Sequence, residues 1–220
     1  MTFGGFAGFG DATFDGDAGF AGGAFGGMAV FGQAAFKRDA GFAGAVFRGP
    51  AWLGGASFGV DVWFDRAVFH RYAGFERTVF SVDAWFGEVT FHGLASFREA
   101  NFPKARQIGP VLAHRGLVLD AVSFGSSVAI EASTCGLCCR GARFARGVQF
   151  RVRWALLALD DTDFTAPRPQ QEGCHEDHAG PRYRTQFAPR AARAWQPSGM
   201  PPAAFLKASR PTLETALPAA

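Results

Sequence analysis

Imidazole side chains that could bind a metal recur at intervals of twenty-two residues. These are His70, His92 and His114, and Arg48 occupies the equivalent position one interval earlier. If residues at that interval lie above one another, the imidazoles could chelate a transition metal or titrate as a pH-sensitive column. The favoured interpretation is a solvated surface without a ligand.

A cysteine cluster offers a second set of possible metal ligands. The segments CGLCC (135–139) and CHEDH (174–178) together contain the ligand types of a zinc site. However, Cys135 and Cys139 fall at core positions of the repeat described below, and the second segment lies in a tail. The four cysteines also do not form an evenly spaced disulfide framework. We therefore predict no metal, no cofactor and a reducing, cytoplasmic environment.

Acidic and indole side chains recur with the same interval and could recognise a partner. The candidate partner-binding residues are Asp17, Asp39, Asp61, Asp83, Trp63 and Trp85. Exposed Trp beside carboxylates is the composition of a recognition patch. The favoured alternative is that the Asp side chains only make hydrogen bonds at turns.

A third series is apolar and could form an interface. It comprises Phe6, Met28, Pro50, Tyr72 and Leu94. On an outer face it would be a stripe that binds a second copy or another protein. The favoured alternative is a second inward-facing position. No nucleophile elbow, phosphate loop or metal-binding helix motif is present, so we predict that the protein is not an enzyme.

The element that must position these series is a repeat of eleven residues. Large apolar residues occur from Phe3 to Phe102 at intervals alternating between six and five, and eighteen of these nineteen are Phe. An Ala usually stands two residues earlier. Residues two apart face the same side of a strand, whereas this spacing and the Gly content exclude a helix. Because the other series repeat every twenty-two residues, one coil of a β-solenoid contains two units and has four short faces.

Stretches such as GDAGF, AGAVF and REANF resemble the pentapeptide-repeat family, especially its Phe-rich bacterial and actinobacterial type. The resemblance covers residues 3–102. It implies an all-β, right-handed quadrilateral β-helix, for which the family has twenty residues per coil; the spacing here predicts about twenty-two. It also implies a possible role as a DNA mimic that binds type II topoisomerases such as gyrase and alters quinolone sensitivity.

Charge and composition divide the chain into three parts. Residues 1–107 form the Phe-rich solenoid and carry a net charge of −1, while 108–165 are predicted to continue it in degenerate form. Residues 166–220 are rich in Pro, Ala and Arg and are predicted to be a disordered tail or an out-of-frame reading. No signal peptide is recognisable at the start of the chain, which agrees with a cytoplasmic location. No polar cap precedes the first repeat, so we expect this end to pair with another chain or to be truncated.

A near-neutral repeat does not have the charge of a DNA mimic or of a nucleic-acid-binding surface. The favoured function is therefore a rigid protein-binding or scaffold module for an unidentified protein partner. A homodimer is possible, a membrane is not expected and nucleic acid is disfavoured. The gyrase-binding role is the alternative.

Overall fold

A computed structural model describes residues 1–164, which form a solenoid of short parallel strands. Each strand pairs with the equivalent strand of at least one neighbouring coil, so four sheets run along the solenoid. We call these sheets faces A, B, C and D. The predicted all-β solenoid is confirmed, and the predicted tail lies outside the described residues.

Faces A and B each contain eight strands. Face A comprises β1 (Thr2–Phe3), β5 (Ala24–Phe25), β9 (Val46–Phe47), β13 (Val68–Phe69), β17 (Val89–Phe91), β20 (Gln107–Ala113), β23 (Val128–Thr134) and β26 (Val148–Arg153). Face B comprises β2 (Ala7–Gly8), β6 (Ala29–Val30), β10 (Ala51–Trp52), β14 (Ala73–Gly74), β18 (Ala95–Ser96), β21 (Leu117–Val118), β24 (Gly136–Cys138) and β27 (Leu156–Ala158).

Faces C and D are shorter. Face C comprises β3 (Thr13–Phe14), β7 (Ala35–Phe36), β11 (Ser57–Phe58), β15 (Val79–Phe80), β19 (Asn101–Phe102), β22 (Ser123–Phe124) and β25 (Arg143–Phe144). Face D comprises β4 (Ala18–Gly19), β8 (Ala40–Gly41), β12 (Val62–Trp63) and β16 (Ala84–Trp85).

The alternation of five and six residues corresponds to two kinds of corner. Five-residue intervals form the B/C and D/A corners, where the chain makes a tight turn. At one of these, the Ala45 N–H donates to the Phe42 carbonyl at 3.0 Å and Gly44 between them has φ 64°. A positive φ at the third residue is characteristic of a type II turn. Six-residue intervals form the A/B and C/D corners, where the extra residue points outward.

The core consists of Phe rings stacked in columns, one for each face. On face A, for example, Phe25 and Phe47 stack with centroids 4.6 Å apart and planes 3° apart. Rings of different faces meet edge to face, as Phe25 and Phe31 do at 6.0 Å and 77°. The predicted inward stacking is confirmed, and it occurs in parallel columns that contact one another.

The coil shortens in its second half. Strands pair with partners twenty-two residues away as far as Ile108 and Ile130, and the register shifts between Ile108 and Val111. From the pairing of Leu117 with Leu137 onward the interval is twenty residues. β20 also ends face D, because it runs from beside β16 into face A.

This shift overturns one predicted core position. Cys135 was expected to point inward by continuing the alternation, but it is exposed, and Thr134 is buried in its place. Cys139 is buried as expected. Residues 1–164 contain no helix that is long and apolar enough to cross a membrane.

Candidate partner-binding surfaces

The two tryptophans of face D lie on neighbouring strands with their indoles outward. Trp63 and Trp85 are register partners on β12 and β16. Trp85 is 48% exposed and Trp63 is half-buried. The two earlier strands have Gly19 and Gly41 at this position, so the indoles stand at one end of an otherwise flat sheet.

The aspartates of the same series occupy the C/D corner of successive coils. Asp17 is exposed, and Asp39, Asp61 and Asp83 are half-buried. The Asp61 carboxylate accepts a hydrogen bond from the Asp83 N–H at 3.3 Å. This bond agrees with the turn-bonding interpretation for Asp61. It also compensates in part for the proximity of like charges in adjacent coils.

An open depression of about 500 Å³ adjoins the C-terminal ends of these strands. Its lining residues are Ala43, Gly44, Asp65, Arg66, Gly87, Glu88 and Pro110. Asp65 accepts a hydrogen bond from the Gly87 N–H at 2.9 Å, and Arg66 pairs with Glu88 at 2.9 Å across neighbouring coils. Sequence reasoning missed this feature, although Gly109 and Pro110 mark the break in the repeat that supplies one wall.

The apolar series points outward along the A/B corner, so the prediction of a second inward position is wrong. Phe6 is 66%, Met28 41% and Leu94 39% exposed, while Pro50 and Tyr72 are half-buried. The extra residue of a six-residue interval widens the corner instead of entering the Phe core, which the stacked rings already fill.

The outward strand positions of face B, beside this corner, carry no charged residue, although the Glu76 carboxylate reaches over the face at Gly74. The outward strand positions are Gly8, Val30, Trp52, Gly74, Ser96, Val118, Cys138 and Ala158. Trp52 is 42% exposed and contacts the Tyr72 ring at a centroid distance of 4.9 Å. Sequence reasoning missed Trp52 because it has no counterpart one coil away.

Two rings of the corner series lie flat against the strand that follows. A Cβ on Gly8 would stand 2.6 Å from the Phe6 ring, and a Cβ on Gly74 would stand 2.8 Å from the Tyr72 ring. The Tyr72 hydroxyl donates to Glu76. Burial, and then the bond to Glu76, raise the pKa of Tyr72 to about 12. The rings therefore form part of a smooth surface.

The histidines form a stacked column at the A/B corner. The His70 and His92 centroids are 5.0 Å apart with planes at 12°, and those of His92 and His114 are 4.9 Å apart at 8°. All three side chains are exposed, as predicted. Burial, and then the neighbouring His114 and His70, lower the pKa of His92. Parallel rings direct their nitrogens alongside one another rather than toward a shared point between them.

The cysteines do not gather into a ligand set within the described residues. Cys135 is exposed, Cys138 half-buried and Cys139 buried, and burial raises the pKa of the Cys139 thiol well above its usual value. No group of three or more His, Cys, Asp or Glu side chains in residues 1–164 is placed to hold a metal. The segment 174–178 lies outside this part of the chain.

Parallel strands that repeat coil after coil around an apolar core define a β-solenoid repeat protein. Residues 31–79 match the family model described as pentapeptide repeats (9 copies), so this part of the solenoid consists of pentapeptide repeats. The matched segment includes Leu53, Trp52, Trp63 and the middle coils of all four faces. No curated protein and no solved structure matched the chain.

Proposed function

We propose that this protein is a non-enzymatic, cytoplasmic scaffold module that binds a protein partner on face D. The observation that carries the proposal is the outward register pair of Trp63 and Trp85 beside the aspartate corner. Trp is enriched among residues that dominate binding energy, and a rigid sheet loses little entropy when it binds.

The chemistry of face D favours a partner segment that is both basic and apolar. Asp39, Asp61 and Asp83 supply negative charge along one corner, and Arg or Lys can also stack on an indole ring. The adjoining depression, with Asp65 and Glu88 in its lining, could accept a side chain of the same partner.

The alternative role of gyrase-binding DNA mimic has no specific support. Residues 1–164 contain fifteen acidic and fifteen Arg or Lys side chains, so the solenoid has no net formal charge. A DNA mimic needs an excess of negative charge along its surface. Inhibition of gyrase supercoiling by micromolar protein would reverse this preference.

The test is partner capture by the tagged full chain from its native host. We expect wild type to retain at least one protein that the variant Trp63→Ala with Trp85→Ala loses. Trp52→Ala is the matched control, because it removes an exposed indole from a different face. If the double variant and wild type retain the same proteins, face D is not the binding surface.

A further inference from the structure

We propose that the corner between faces A and B binds the surface of a membrane that contains anionic lipids. This corner is distinct from face D, so the proposal does not depend on the partner proposed above. It revises the expectation that no membrane takes part, because that expectation rested on the lack of an apolar run long enough to span a bilayer. Three observations carry it: a column of basic side chains, the absence of ion pairs at that column, and an exposed apolar ridge beside it.

Basic side chains occupy the A/B corner in four successive coils. We call this set the basic column, and it comprises Arg48, His70, Arg71, His92, His114 and Arg115. All six are exposed, and no acidic residue occupies the A/B corner of the described coils. The stacked imidazoles lie 5.0 and 4.9 Å apart, so the column keeps the spacing of the coils. A line of cations suits an anionic lipid surface, where each Arg or Lys strengthens binding about fivefold.

The arginines of the basic column have no carboxylate partner within residues 1–164. Several arginines elsewhere on the solenoid pair with a carboxylate of the next coil, as Arg66 does with Glu88 at 2.9 Å. Arg48, Arg71 and Arg115 form no ion pair of this kind in the described part of the chain. They can therefore bind lipid phosphates without first losing a partner.

An apolar ridge runs beside the basic column. It consists of Phe6, Met28, Pro50, Tyr72 and Leu94 at the corner, with Trp52 on the adjoining strand. The corner members span four coil spacings, or about 19 Å. Surfaces that lie in the interface of a bilayer combine such side chains, which enter the lipid, with cations at the level of the headgroups. The ridge and the column together have this composition.

One carboxylate reaches the ridge. Glu76 extends over Gly74 and accepts a hydrogen bond from the Tyr72 hydroxyl. Its negative charge opposes an anionic surface, whereas the basic column provides three arginines that are always charged. Glu76→Gln should therefore tighten binding to anionic vesicles about twofold to threefold.

The side chains of the ridge favour lipid over single-stranded nucleic acid. Proteins that bind a single strand stack its bases on open aromatic faces. Tyr72 instead places its ring against the backbone at Gly74, and Trp52 contacts that ring at 4.9 Å. Met28 and Leu94 are exposed and aliphatic, so they can enter lipid but cannot serve as stacking platforms.

The histidines make the basic column sensitive to pH. Burial, and then His114 and His70, lower the pKa of His92. The titratable or charged residues at the same corner of the two adjacent coils are His70, Arg71, His114 and Arg115, and all are basic. An anionic surface stabilises the protonated imidazoles, so binding should tighten about tenfold between pH 7.5 and about pH 5.5.

Co-sedimentation of the full chain with lipid vesicles tests the proposal. Vesicles of phosphatidylcholine with about 30% phosphatidylglycerol are compared with vesicles of phosphatidylcholine alone, at both pH values and about 100 mM salt. We expect binding to the anionic vesicles, tighter at the lower pH, and at least tenfold weaker binding to the neutral ones. Circular dichroism at each pH confirms that the chain is folded.

Two pairs of arginine substitutions separate the basic column from the total charge. Arg71→Gln with Arg115→Gln should weaken binding to anionic vesicles about tenfold or more. Arg38→Gln with Arg143→Gln is the matched control, since it removes two exposed arginines from other surfaces. Neither of these two forms an ion pair within residues 1–164, and their loss should leave binding unchanged.

The contribution of the ridge is tested separately. Met28→Ser with Leu94→Ser keeps every charge and should weaken binding about tenfold, because less apolar surface enters the lipid. Both residues are exposed, so circular dichroism should show a folded chain.

Three results would overturn the proposal. The first is a wild-type chain that binds anionic vesicles at neither pH. The second is equal binding by the variants of the corner and the arginine control, which would place the lipid contact elsewhere in the chain. The third is tighter binding to a labelled single strand of about 20 nucleotides than to the vesicles, lost in the corner variants, which would make the corner a nucleic-acid site.

Discussion

Each core phenylalanine contacts rings above, below and across the solenoid. Phe64 stacks on Phe42 at 4.9 Å and on Phe86 at 5.1 Å, and it meets Phe58 and Phe75 edge to face. Both arrangements are favourable for aromatic rings. Because these neighbours are themselves fixed in columns, they cannot move to fill the space that a smaller side chain would leave.

Phe64→Ala should therefore lower the free energy of unfolding by about 3 to 5 kcal/mol. Chemical denaturation followed by circular dichroism measures the loss. Trp85→Ala, which truncates a half-exposed ring on the next coil, should cost about 1 kcal/mol or less. Equal losses in the two variants would mean that Phe64 is not in the core.

His92 should make the solenoid less stable in mild acid. Its pKa is lower in the folded protein than in the unfolded chain, where it is about 6.5. The unfolded state therefore takes up more protons as the pH falls through that value, and stability is lost below it. Burial opposes protonation of His92 most, followed by the neighbouring imidazoles of His114 and His70.

Urea denaturation at pH 7.5 and 5.5 measures this effect. Between these pH values His92→Gln should lose less stability than wild type, because residue 92 no longer takes up a proton. The other titrating groups, including the carboxylates, are the same in both proteins. The same loss in both proteins would show that protonation of His92 does not destabilise the folded solenoid.

The residues that repeat were predictable from the sequence, but single residues were not. Phe and Ala at fixed intervals specify an inward column, and the confirmed burial of Phe25 through Phe91 follows from that pattern. Trp52 is outward and unrepeated, so only the three-dimensional position of its strand reveals that it extends the apolar series. Sequence alone also left the direction of Phe6 and Met28 open, because their spacing fits either side of a widened corner.

At the scale of the strand and corner, the two kinds of interval have different backbone requirements. The tight corners need a positive φ two residues after each core position, and non-glycine residues such as Gln33, Arg66 and Glu99 adopt it there. This conformation costs an L-residue about 1 kcal/mol. The strands that the corners connect are only two or three residues long on most faces, so regular corners are needed to keep successive coils in register.

Gly44→Ala should destabilise the solenoid by about 1 kcal/mol, because φ is 64° although the added Cβ meets nothing within 4 Å. Gly41→Ala is the matched control three residues earlier. Its Cβ also meets nothing, and its φ is outside the left-handed region, so it should be neutral or stabilise by about 0.5 kcal/mol. Thermal melting compares the two, and a larger loss at Gly41 would contradict the assigned corner.

Gly109 permits the change in coil length. Its φ is 101°, and a Cβ there would lie 2.0 Å from the Glu131 carbonyl oxygen of the next coil. We expect Gly109→Ala to cost about 3 kcal/mol or more. In Gly147→Ala the nearest atom is 3.9 Å away, so this control should change stability little. Hydrogen exchange should show the loss of protection in β20 and β23; unchanged protection would mean that the register shift does not depend on Gly109.

At the scale of the whole solenoid, four faces with the same core present different surfaces. Face D carries Trp and Asp, the strand positions of face B carry no charged residue, and the corner between faces A and B carries Arg and His. The sequence predicted that such series would align because their interval equals one coil. It could not predict the depression beside Pro110 or the end of face D, because these arise where the register changes.

A crystal structure of the full chain tests the central claim most directly, namely that residues twenty-two apart stack in the first five coils with Phe side chains inward. We expect each of Phe25, Phe47, Phe69 and Phe91 to stack on the next at about 4.8 Å. A different interval between paired strands in this region, or these rings in solvent, would contradict the fold and the surfaces inferred from it.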